Sequence, residues 1–177
     1  MMSENRGYTK VWAAVACIIA IAGFVGSQPG FAADKIEIMQ GKLIDVDGTV
    51  EVRKVGTKEW VPAKEGMIIA PGDAVSAGID GKAKLAYENS ATDIEPLAQF
   101  VVGRAVETDN QYTTEIFLQV GKIKSGVEHV GEKSNKFNIV TPTAACGIRG
   151  TIVEAGFTPG LGAEITPQEG LVATTPV

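Results

Sequence analysis

"GKLIDVDGTVEVRKV", residues 41–55, decides the fold class. In "VEVR" the valines Val50 and Val52 fall on one side and Glu51 and Arg53 on the other, the two-residue alternation of a half-buried strand. The run before it is also strand-like. Asp47-Gly48 lies between them, a dipeptide that accepts the positive φ angles of a tight turn, so we expect a hairpin here. The pattern recurs outward. In "GIDGKAKLAY" (78–87), Asp80-Gly81 repeats the turn signal, and Ala83, Leu85 and Tyr87 share a face opposite Lys82, Lys84 and Ala86. "TTEIFLQVGKIK" (113–124) places Ile116, Leu118 and Val120 on one face, and "KFNIVTP" (136–142) does so with Phe137, Ile139 and Thr141. "GTIVEAGF" (150–157) closes the series. Helical periodicity is nearly absent after Ala33. Many short strands separated by turn signals predict an all-β domain of two twisted, packed antiparallel sheets, a sandwich-like arrangement. The Gly-, Pro- and Thr-rich stretch 158–177 reads as a loose tail, with possible edge strands at Glu164–Thr166 and Leu171–Ala173.

The first 33 residues read differently. Arg6 and Lys10 precede an uncharged stretch from Val11 to Ala33, whose apolar block "VWAAVACIIAIAGFV" ends at Val25 before "GSQPGFAAD". A basic start, an apolar middle and small residues at the end match a helical secretory signal peptide, with cleavage after Ala32 or Ala33. The block is shorter than the roughly 20 apolar residues of a spanning helix, so we expect no membrane span after cleavage. The expected division is thus a signal peptide at 1–33, a β-domain at 34–157 and a tail at 158–177, in a periplasmic or secreted protein.

The full chain has 16 basic and 21 acidic residues; without Arg6, Lys10 and Glu4 the mature part keeps 14 and 20, net −6. Such an acidic domain is a poor partner for nucleic acid, whose phosphates dominate binding. Cys17 leaves with the signal, so Cys146 has no intrachain disulfide partner.

Catalytic chemistry finds little to use. His129, the single histidine, sits in the polar loop-like run "SGVEHVGEKSNK", and Cys146 lies between Ala145 and Gly147, where a free cysteine behaves as a small buried hydrophobe. "DVDG" at Asp45–Gly48 begins like a calcium loop, but the twelfth position, Gly56, cannot supply the required carboxylate. No Cys/His cluster suits zinc, and no Gly-Lys-Ser/Thr sequence makes a phosphate loop. We therefore expect no catalytic residue, no cofactor and no metal.

One stretch carries a resemblance. "FNIVTPTAACGIRGT" (137–151) joins an apolar strand, Thr-Pro, small residues and a Gly-apolar-Arg-Gly-Thr run: Thr141, Pro142, Gly147, Ile148, Arg149, Gly150 and Thr151. Upstream stand Trp60, Pro62, Gly66, Pro71, Gly72, Asp73 and Gly81. Together these resemble the FecR-type domain over about Gly41 to Glu154. Cys146 stands where that family usually has alanine, and "ENSATDIEPLAQF" replaces its usual Asp-Gly-Ser hairpin tip. The resemblance implies an all-β periplasmic module. In iron-uptake signalling such modules belong to membrane regulators with a cytoplasmic sigma-factor-binding segment. Only about ten residues precede the apolar block here, too few for a folded domain, so the likeness is to a stand-alone exported form. The signalling role does not carry over whole; the lack of catalytic residue sets leads us to expect a non-enzymatic module that binds another envelope protein in a regulatory or sensing role. The alternative is a structural or carbohydrate-associated envelope protein. Residue chemistry assigns the motif to architecture: Pro142 ends strand pairing, Gly147 and Gly150 permit tight turns, and the Arg149 guanidinium is expected to tie down carbonyls or a carboxylate at a corner. Trp60 is expected in the core.

Overall fold

A computed structural model describes residues 35–128, 130–168 and 172–176; the expected signal peptide, Cys17 and His129 lie outside these. The described residues contain no helix and fifteen strands. They are β1 (Glu37–Ile38), β2 (Gly41–Asp47), β3 (Val50–Arg53), β4 (Val61–Pro62), β5 (Ile68–Ile69), β6 (Ala74–Ala77), β7 (Lys82–Ala86) and β8 (Ser90–Ile94). There follow β9 (Gln99–Glu107), β10 (Gln111–Val127), β11 (Ser134–Val140), β12 (Ala144–Ile148), β13 (Ile152–Thr158), β14 (Gly162–Pro167) and β15 (Val172–Pro176).

The strands make one continuous, curled network rather than two separate sheets. The 17-residue β10 is the reason. Its first half pairs with β9 and β11, in a lobe that runs β4-β3-β6-β9-β10-β11-β12-β15. Its second half pairs with β8 and β13, in a lobe that runs β5-β2-β7-β8-β10-β13-β14. All pairings are antiparallel except β10 with β11. That exception follows from the curl. Straight, β10 would measure about 54 Å. Yet Ser134 returns beside Gln111 after only six residues beyond Val127, which can span about 25 Å at most. The strand must therefore bend back on itself.

The bend lies at Gly121 (φ 86°), just past a register shift between Leu118 and Val120. The inward side chains change parity across it: Tyr112, Thr114, Ile116 and Leu118 before, Ile123, Ser125 and Val127 after. An inserted residue does this in a strand, and it keeps both halves facing one core. Val120, expected beside Ile116 and Leu118, is only half-buried as a result. The core is apolar, built around Leu43, Val52, Val75, Leu85, Ile94, Phe100, Ile116, Ile123, Phe137 and Ile139.

Both Asp-Gly turns depart from expectation. β2 and β3 do not pair with each other; nor do β6 and β7. Each dipeptide instead carries the chain from one lobe to the other. The two crossings stack: Gly78 N–H donates to Thr49 O (2.7 Å), Thr49 N–H donates to the Asp80 carboxylate (3.3 Å), and a Cβ on Gly48 or Gly81 would strike the other crossing's backbone. The tight contact explains the glycines without a hairpin.

"ENSATDIEPLAQF" supplies β8 and the start of β9, with a tight turn from Tyr87 to Ser90. Much of the expected tail is edge strand: β14 pairs with β13, and β15 with β12. Trp60 is a half-buried rim residue, its ring 4.9 Å from the Arg53 guanidinium, not part of the core.

Candidate functional site

The 141–151 motif is a turn, a strand and a crossing. Thr141 is buried, and its hydroxyl bridges the turn, accepting from Ala144 N–H and donating to Ala144 O, both at 3.0 Å. Pro142 and Thr143 are exposed at the tip. Gly147 lies within β12 beside Asn138, and Gly150 (φ 65°) turns the chain toward β13, with Thr151 buried after it. Arg149 departs from expectation. It is exposed, and its guanidinium has no hydrogen-bond or ion-pair partner among the described residues. Removal of an exposed side chain of this kind changes stability little. Arg149→Ala should therefore shift the urea midpoint by no more than about 0.5 kcal/mol equivalent. A larger loss of stability would restore the guanidinium to the corner.

Cys146 is buried, as its small neighbours suggested, and burial pushes its thiol pKa up. A protonated, enclosed thiol is a poor nucleophile. Labelling by a thiol reagent should be slow in the native protein and become fast in denaturant; fast native labelling would contradict this burial.

The carboxylate with the most defined surroundings is that of Asp73, and its role is structural. Its oxygens accept from Val55 N–H (2.9 Å), Ala70 N–H (3.0 Å) and the Lys54 ammonium (2.7 Å). Burial works to raise its pKa, but these three donors outweigh it and hold the carboxyl below its usual value. Among the described residues no group of three or more His, Cys, Asp or Glu side chains could hold a metal ion.

A different feature stands out among the turns. Three turns share one design: proline second, a positive-φ residue third, and an N–H returned to the first carbonyl, which is a type II turn. Ala70-Pro71-Gly72-Asp73 closes at 3.0 Å with Gly72 at φ 91°, and Thr158-Pro159-Gly160-Leu161 closes at 3.0 Å with Gly160 at φ 87°. Glu95-Pro96-Leu97-Ala98 closes at 3.1 Å, but its third residue is leucine at φ 64°. A left-handed conformation costs a residue with a Cβ about 1–2 kcal/mol. The leucine recovers little of that by burial, because it is 58 % exposed. It lines an open cleft of about 410 Å³ together with Leu161, which is 88 % exposed at the β13–β14 turn. Gly121 and Gly156 leave room for the cleft, and Lys122 and Glu164 border it. Ile79, 81 % exposed, is close by, since Leu97 N–H donates to the carbonyl of Gly78. Sequence reading passed over all three. The legible signal was Pro96-Leu97, a proline followed by something other than glycine where a turn was due.

No family model matches this chain, and neither the curated proteins nor the solved structures contain a match.

Proposed function

We propose that this chain is a non-enzymatic, exported FecR-like module of the bacterial cell envelope that binds another protein, in a regulatory or sensing role. The FecR-type motif and the signal-like N-terminus support the family and the compartment. The observation that carries the binding role is Leu97. Strain and exposure both weigh against a leucine at this turn position, and backbone outliers of this kind cluster at functional sites. Leu161 lines the same cleft from a separate turn, and apolar groups gathered this way suit a protein contact. The structural or carbohydrate-associated alternative has no comparable use for them.

A photo-crosslinking amino acid at position 161, in cells followed by fractionation, tests the reading. A discrete protein adduct in the periplasmic or envelope fraction is expected, lost in Leu97→Gly. Glycan retention without any protein adduct would favour the alternative.

A further inference from the structure

We infer that the occupant of the Leu97–Leu161 cleft is an apolar protein segment flanked by basic residues; this rests on the protein-binding reading above. The charges around the cleft select the class. Lys122, the only basic side chain among the described residues lining it, is already paired with Glu154 at 2.7 Å. Glu164 lines the cleft, and Glu95 directly precedes Pro96, which also lines it. Neither of these two carboxylates has an ion-pair partner among the described residues. An apolar centre therefore sits within an acidic border. An apolar side chain entering between Leu97 and Leu161 would place its neighbours against that border, where basic residues are attracted and acidic ones repelled. The same border disfavours an anionic lipid surface, the other apolar phase that an exposed leucine pair could enter.

The cleft also has a place for a knob rather than a strand. Gly156 lies between Lys122 and Glu164 across β10, β13 and β14, and with no side chain it opens a trough between theirs. The Lys122 stem forms one wall, with its Cε 3.6 Å from where a Gly156 Cβ would stand. Leucine or phenylalanine fits such a trough, and its walls are apolar stems with charged tips.

Two labelled acetylated pentapeptides, Lys-Leu-Phe-Leu-Lys and Glu-Leu-Phe-Leu-Glu, test this by fluorescence anisotropy on the full mature chain. The basic peptide should bind about tenfold or more tighter than the acidic one, and its affinity should fall as sodium chloride is raised. Leu97→Gly should weaken it about tenfold. That variant should also melt at the wild-type temperature or about 3 °C higher, because glycine relieves the left-handed strain. Lost binding with retained or increased stability separates a contact role from a folding role. Equal binding of both peptides, no binding of the basic one, or unchanged affinity in Leu97→Gly would overturn the inference. So would Leu97-dependent binding to vesicles of anionic phospholipid in place of peptide. Failure of the peptides alongside a position-161 protein adduct would sink the basic-apolar occupant only; absence of both would sink the protein-binding reading as well.

Discussion

Gly121→Ala should be strongly destabilising, lowering stability by about 2–5 kcal/mol. Two costs add. The residue sits at φ 86°, where a Cβ is strained, and the new Cβ would collide with the backbone of Leu97 and Ala98. The backbone of the tight turn between β8 and β9 cannot rotate away as a side chain can. The bend of β10 is also what joins the two lobes, so relief by straightening would open the core. Against a typical total stability of about 5–15 kcal/mol, this is a large fraction. Gly103→Ala is the control. Its nearest neighbours would be ring atoms of Phe117, a partly exposed side chain with room to turn. It should cost about 1–1.5 kcal/mol or less. Urea unfolding of both variants decides the matter: if the Gly121→Ala midpoint is no lower than that of Gly103→Ala, β10 does not need its bend at this residue.

Asp73→Ala should cost about 2–4 kcal/mol. It strands the amides of Val55 and Ala70, each worth about 1–3 kcal/mol where water cannot replace the acceptor. Lys54 adds little, because its side chain is 41 % exposed and water takes it back readily. The acid limb of the stability curve carries the signature of this residue. The folded-state pKa lies below the ordinary value of 3.8, so the unfolded chain takes up the proton first as pH falls. The contribution is therefore fully present above the unfolded-state pKa. It is lost progressively as pH drops through that value and on through the depressed folded one. Asp73→Asn, which cannot ionise, should be less stable than the wild type near neutrality. The gap should narrow steadily below about pH 4. Urea midpoints of the two proteins across the acid range would reveal it; a gap that stays constant with pH means the carboxylate's charge contributes nothing.

Strand identity was legible in the residues because burial on one side of a strand imposes a period of two. Val50 with Val52, Ala83 with Leu85, and Phe137 with Ile139 all fall inward as their spacing implied. The two edge strands near the C-terminus also announced themselves, by apolar residues set among Gly, Pro and Thr. Pairing was less legible. Asp47-Gly48 and Asp80-Gly81 have the composition of hairpin turns, yet each joins strands in different lobes. A glycine needed for φ and one needed for close packing look the same in a sequence. Only the stacked crossings at Thr49, Gly78 and Asp80 distinguish them. Arg149 misled for a related reason: flanking glycines suggested a crowded corner, but the crossing from β12 to β13 runs over the surface and leaves the side chain in water.

The sequence by itself determined that the described residues form strands and that Cys146 is buried. Those properties depend on periodicity and local composition, which each residue carries with it. The tertiary structure decided that the strands join in one curled network through the bend of β10, that β11 runs parallel to it, and that Leu97 and Leu161 meet at one cleft. These depend on which distant segments approach each other. That choice is made by the total burial the chain can reach, a quantity that no single stretch contains.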